Sequence, residues 1–312
     1  MKAMVANNKI LWLCLSLMVL AGGCTVGTQS HDDKELQIAE QFGLAYAPLV
    51  VIKEKSMMQD HGVQVEWIQL NNASAIREAM LSSHLDIGFM GIPPYLIGKD
   101  NDMGWEVFTG LTKAELALVS NNEDINALTD IERQDRIILP QPGSIQHILL
   151  AMAAEKEFGD AQYFDEQLLS MSHPDGLQAL KNSKDPVLLF TAPPYVAMAL
   201  QEPKFQKVLT GVDAFGGPFT FIVGVASETA WREKKSQIDI FQTVLREAIL
   251  WMEQYPEDAA DLLAPYYQIT HQEMMNYLQS GELVYALDVQ GMERFQEFML
   301  QVGYIKKEEA LR

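Results

Sequence analysis

The chain has 312 residues, 48% hydrophobic and 21% charged, a composition that excludes collagen-like, disordered and disulfide-dense proteins and suits about two domains. Against 42 acidic side chains stand only 23 basic ones, a formal charge of −19. Phosphodiester backbones are gripped by lysine and arginine, so no nucleic-acid partner is expected.

Residues 1–23 read as a secretory signal peptide: Lys2 and Lys9, an apolar run from Ile10 to Leu20, then Ala21, Gly22 and Gly23. The apolar run is too short for a stable membrane span. The box Leu20-Ala21-Gly22-Gly23-Cys24 resembles the bacterial lipoprotein signal, with one glycine more than its tightest form. The resemblance implies that Cys24 is acylated, palmitate included, and becomes the mature N-terminus. The alternative is an ordinary cleaved signal with an incidental cysteine. Cleavage removes two lysines, taking the charge from −19 to −21, and removes Cys14 as well. The mature chain then has one cysteine, so neither an intrachain disulfide nor cysteine catalysis is expected. Residues 24–35 are polar and read as a tether.

Strands and helices alternate from there, which predicts an α/β fold. Leu36 to Glu40 reads as a strand, Leu49 to Asp60 as a helix, Val63 to Leu70 as a strand, Ser74 to Ser82 as a helix and Asp86 to Met90 as a buried strand. About 100 residues on, the plan repeats. Arg136 to Leu139 is a strand, Ser144 to Glu157 a helix, Gln167 to Ser172 a strand, Asp175 to Lys181 a helix and Val187 to Phe190 a strand. Asp86 pairs with Asp185, and Pro93-Pro94-Tyr95 with Pro193-Pro194-Tyr195, each Pro-Pro-Tyr following a strand and opening a helical stretch. Phe219 to Ala226 is a further strand, followed by helices at Ile238 to Tyr255, Pro256 to Leu263, His271 to Ser280 and Gly291 to Val302. Strand-like connections near Leu116 to Asn121 and Val208 to Phe215 are expected to join two lobes, 36–118 with 216–312 and 119–215, as a two-strand hinge.

No phosphate-binding, metalloprotease or nucleophile-elbow motif is present. None of the six histidines has a second histidine or cysteine at metal-ligand spacing. Neither metal nor cofactor is expected. His147 and His173 are the only candidates for catalysis, and no partner for either is visible in the sequence.

Ligands of open α/β sheets bind at the carboxyl ends of strands. The segments there are 44–48, 71–74, 91–94, 141–146, 173–175 and 191–195, each opening a helix whose amides could face a cleft. The candidates are Tyr46, Asn72, Ser74, Ile92, Ser144, Ile145, Gln146, Ala192 and Tyr195. Plain N-capping accounts equally for Ser74 and Ser144, and better for Asp175. Tyr46 and Tyr195 are either cleft or core aromatics, their proline neighbours favouring the cleft. Arg77 either forks to an anion or is solvated.

Residues 172–180 (Ser-His-Pro-Asp-Gly-Leu-Gln-Ala-Leu), 190–195 (Phe-Thr-Ala-Pro-Pro-Tyr), 91–96 (Gly-Ile-Pro-Pro-Tyr-Leu), 139–159 and 216–220 resemble the substrate-binding lipoproteins of ABC importers. The group is the one named for nitrate, taurine and alkanesulfonates, which also holds binders of thiamine-pyrimidine precursors. The resemblance implies a two-lobed type II periplasmic-binding-protein fold, each lobe a mixed sheet flanked by helices. It also implies a monomeric extracytoplasmic receptor, membrane-bound only through Cys24, that delivers a small solute to a permease and its ATPase. A sulfonate-like anion or a cyclic metabolite would be the solute. None of the six segments holds an arginine or lysine, which departs from the anion binders. An enzyme on the same fold acting on a pyrimidine-type metabolite, and a sensor presenting its ligand-bound form to a signalling receptor, are the alternatives.

Overall fold

The computed structural model describes residues 35–307; Cys24, the signal segment and most of the tether lie outside them. Strand β1 (Glu35–Glu40) leads through a 3-10 turn (Leu44–Tyr46) into α1 (Ala47–Glu54) and α2 (Met57–Asp60). The single helix expected at 49–60 is two, because Ser56 takes a left-handed conformation (φ 53°) between them. Then come β2 (Gln64–Gln69), α3 (Ala73–Leu81), β3 (Ile87–Gly91), α4 (Ile92–Asp100) and β4 (Glu106–Ala114). The second sheet is built from β5 (Ala117–Ser120), β6 (Arg136–Leu139), α5 (Ile145–Phe158), β7 (Leu168–Ser170), α6 (His173–Asn182), β8 (Val187–Thr191), α7 (Tyr195–Leu200) and β9 (Gln206–Thr210). The chain returns through α8 (Gly211–Phe215) to β10 (Ile222–Ala226). It closes with α9 (Glu228–Glu233), α10 (Lys235–Gln254), α11 (Pro256–Tyr267), α12 (His271–Ser280), β11 (Leu283–Tyr285) and α13 (Met292–Gln301).

The repeat seen in the sequence is a repeat of sheet topology. The first sheet runs β11-β4-β10-β3-β1-β2 and the second β7-β6-β8-β5-β9. In the first, β1 lies parallel between β2 and β3; in the second, β6 lies parallel between β7 and β8. Each parallel set is then continued by an antiparallel strand, β10 against β3 and β5 against β8. Those two strands are exchanged. β5 follows the first sheet's β4 in sequence but joins the second, while β10 follows the second sheet's β9 but joins the first. The two passages therefore run side by side, with Gly211 donating its N–H to the Leu116 carbonyl at 2.7 Å. The strand-like connection expected at 208–215 ends at Thr210; residues 211–215 form α8, whose N-terminus is capped by Thr210.

Every residue of β3, β5, β8 and β10 is buried, as expected of strands covered on both faces. Over the first sheet, Phe241 of α10 packs on Phe89, Phe108 and Trp67, ring centroids 6.0–6.4 Å apart. Beneath β3, Asp86 accepts hydrogen bonds from the Gln37 N–H (2.9 Å) and from Lys234 Nζ (2.8 Å), and Lys234 also donates to the Glu35 carbonyl. Its landmark counterpart Asp185 offers only its backbone carbonyl, to Asn121 and Ser183. The Asp86–Lys234 ion pair of the first sheet therefore has no counterpart at Asp185. The two Pro-Pro-Tyr segments also differ: Pro93-Pro94 lies inside the first turn of α4, whereas the Pro193-Pro194 bond is cis and precedes α7.

Candidate functional site

The carboxyl ends of the parallel strands of both sheets face one another, and loops from the two sides touch. Leu44 N–H donates to the Pro193 carbonyl at 3.2 Å, and Ser74 N–H to Gln141 Oε1 at 3.1 Å. Gly43, at φ 121°, and Gly91 sit where these loops meet: a Cβ on Gly43 would lie 3.3 Å from the Pro193 carbonyl, and one on Gly91 3.2 Å from the Ile145 Cβ. Gly91 has a φ of −65° that any residue accepts, so Gly91→Val is expected to hold the loops apart without straining its own backbone. Small-angle scattering should then show a larger radius of gyration; an unchanged radius would mean that this contact does not set the spacing of the loops.

Between the loops lie two cavities that share Gln41 and Phe42 as walls. The inner one, about 30 Å³, is lined by Tyr46, Ala73, Gly91, Gln141, Ser144, Ile145, Gln146 and His173 among others. That volume holds about one water molecule. The outer one, about 600 Å³, is lined from the first sheet's side by Glu40, Gln41, Phe42, Gly43, Gln69, Tyr266, Tyr267 and Gln268. Pro174, Leu177, Gln178 and Lys181 of α6 and Tyr195, Met198 and Gln201 line it from the second. Its size is that of a small-molecule site.

Of the expected site residues, Tyr46, Ser144, Ile145 and Gln146 come together around the inner cavity, and Tyr195 lines the outer one. Tyr195 is joined to the inner group through His173, on whose ring it stacks at 5.7 Å. Ile92 and Ala192 are buried in the core and line neither cavity. Ser144 caps α5, accepting from the His147 N–H at 3.3 Å. Ser74 caps nothing; the cap of α3 is Asn72, which accepts from Ala75 N–H at 3.0 Å. Nor does Asp175 cap α6, since Ser172 does so and Asp175 N–H is its donor. Arg77 turns back onto Ser74, with Nη2 3.1 Å from Oγ, and lines neither cavity. Burial holds its pKa below the usual guanidinium value, opposed by the charge of Glu78.

Both histidines have partners that the sequence did not reveal. Gly143 N–H donates to His147 Nδ1 at 2.9 Å, which leaves the proton on Nε2, 3.0 Å from Asp165 Oδ1. His173 Nδ1 lies 2.8 Å from Thr191 Oγ1, and burial lowers its pKa to about 4, so it is neutral near pH 7. Among the described residues no group of three or more His, Cys, Asp or Glu could hold a metal ion.

The residues missed in the sequence are the polar ones. Glu40, the last residue of β1, is 3% exposed, and its Oε2 has no hydrogen-bond partner. Burial raises its pKa to about 7, only partly offset by Lys53. The hydroxyl of Tyr267 and the Nε2 of Gln141 are likewise buried and unpartnered. Since Gln141 Oε1 accepts from Ser74, its amide nitrogen remains as a donor beside the inner cavity. Tyr46, Tyr266 and Tyr267 all have hydroxyl pKa values raised first by burial and further by the charge of Glu40, so they remain neutral hydroxyls.

Residues 29–165 match the model of the NMT1-like family. No curated protein matches the chain by sequence. Among solved structures, the chain is similar to the alkanesulfonate-binding protein SsuA from Xanthomonas axonopodis pv. citri bound to MOPS. The TM-score is 0.73 at 15% identity over 88% of this chain and 95% of that one. It is similar to the ligand-binding component of an ABC-type import system from Staphylococcus aureus, at TM-score 0.70 and 14% identity, over 87% and 93%. The periplasmic nitrate-binding protein NrtA from Synechocystis PCC 6803 gives 0.65 and 13%, over 88% and 83%. With its paired mixed sheets and strand exchange, the chain has the periplasmic-binding-protein fold of the solute receptors of ABC importers.

Proposed function

We propose that the protein is the extracytoplasmic solute receptor of an ABC importer, tethered to a membrane through a lipidated Cys24. It captures a small organic solute between two lobes and passes it to a permease and its ATPase. The observation that carries this reading is the 600 Å³ cavity, walled from both sheets by aromatic and amide side chains and adjoining the inner cavity at the strand ends. Two side-by-side passages, at 114–117 and 210–222, would serve as the hinge about which residues 36–118 with 216–312 move against 119–215.

The commitment of both histidine side chains supports binding over catalysis. His147 is engaged at both ring nitrogens, and His173 is neutral and stacked. Native mass spectrometry of freshly purified protein should show a retained small molecule that is chemically unchanged after incubation. Conversion that is lost in His147→Ala or His173→Ala would overturn the reading. Tyr195→Ala should weaken binding by about 1–3 kcal/mol, the cost of truncating a partly buried aromatic anchor. Calorimetry reads this directly, and unchanged affinity would place the solute away from α7.

A further inference from the structure

The outer cavity has a charge character unlike that of an anion site. Its one buried charged group is the Glu40 carboxyl, with Oε2 unpartnered. The other charged residue on its wall, Lys181, is partly exposed on α6. The same cavity is lined by the rings of Phe42, Tyr195, Tyr266 and Tyr267, the last two close enough to Glu40 to feel its charge. Several of the helix amides that could receive an anion are already in use. At α3, Ser74 N–H is bonded to Gln141 and Ala75 N–H to Asn72; at α5, His147 N–H is bonded to Ser144.

We propose, on the basis of the receptor reading above, that the solute is an organic cation carrying a flat or aromatic ring. Its basic nitrogen sits on Glu40 Oε2 and its ring lies among Phe42, Tyr195, Tyr266 and Tyr267. A charged N–H donor gives a buried carboxylate oxygen the partner it lacks, and a bond of that kind is about twice as strong as a neutral one. Tyrosine and phenylalanine faces attract the same cation through their quadrupoles. Above pH 7, where Glu40 is ionised, a sulfonate or nitrate would instead meet a buried carboxylate of like charge.

The test uses four probes on the full chain by calorimetry and thermal shift: benzamidine, its neutral isostere benzamide, ethanesulfonate and nitrate. Benzamidine should bind wild type roughly tenfold or more tightly than benzamide, and neither anion should compete with it. Glu40→Gln should erase the preference by weakening benzamidine alone, each shift being read against the variant's own melting point. Tyr195→Ala, which keeps the carboxylate, should weaken benzamidine while preserving its preference over benzamide. Equal or tighter binding of benzamide or an anion, no binding of benzamidine, or indifference to Glu40→Gln overturns the proposal. If an anion binds, or is the molecule retained on purification, the receptor reading stands and this one falls. If nothing is retained and no probe binds, both fall.

Discussion

Above pH 7, Glu40→Gln is expected to be more stable than wild type by as much as about 3 kcal/mol, and near pH 4.5 the two should be alike. The folded-state pKa of about 7 lies above the ordinary value of 4.5, through burial. Between these values the folded protein holds a proton that the unfolded chain has released. Stability therefore falls as the pH climbs from 4.5 to 7 and levels off above, where the folded state must bury the charge. The groups facing this carboxyl are Lys53, Tyr46, Tyr266 and Tyr267; the tyrosines stay neutral throughout and Lys53 is exposed. His173, lowered to about 4, contributes the opposite slope in both proteins and cancels in their difference. Urea denaturation of both proteins at pH 5, 6, 7 and 8 measures that difference. Parallel profiles would mean that the carboxyl is solvated. A group retained at such a cost is the kind that serves a site and not the fold.

Lys234→Met should lower stability by about 3–5 kcal/mol, the loss expected when a buried carboxylate is deprived of its counter-ion. Lys234 and Asp86 are 16% and 12% exposed and 2.8 Å apart, and the carboxylate would be left with only the Gln37 N–H. A paired replacement, Asp86→Leu with Lys234→Met, should recover most of the loss, because two apolar groups leave no buried charge behind. The denaturation midpoints of the three proteins check this. A loss below about 1 kcal/mol in the single variant would class the pair with surface ion pairs. The pair lies at the amino end of β3, opposite the cleft, so affinity should be unaffected.

Much of the fold was legible because α/β repeats announce themselves locally. The strand–helix alternation and the two Pro-Pro-Tyr segments located β1 to β3 and β6 to β8 in their common topology. β4 and β11 were not read, since half-buried strands such as Glu106–Ala114 lack a continuous apolar run, and β11 is only three residues long. Of the site, the loops at 141–146 and at Tyr195 were visible as strand-end segments before helices. Glu40 was not, because an acidic residue closing a strand is ordinary in sequence. What makes it unusual is burial against Tyr266 and Tyr267 at the far end of α11, a relation with no local trace. Its neighbours Gln41 and Phe42 did lie at a strand end, and the rule that ligands sit there could have found them.

The exchanged strands bear on how the protein is made. During synthesis β3 and β4 emerge early, yet β10, which pairs with both, follows roughly 110 residues after β4. At a translation rate of about 5–20 residues per second, the first sheet stays open for several seconds with two apolar edges uncovered. The second sheet waits less long, since β5 ends 67 residues before β8 begins and 86 before β9. A growing chain therefore completes its second sheet before its first, and the edges of β3 and β4 stay open to pairing with other chains until β10 arrives.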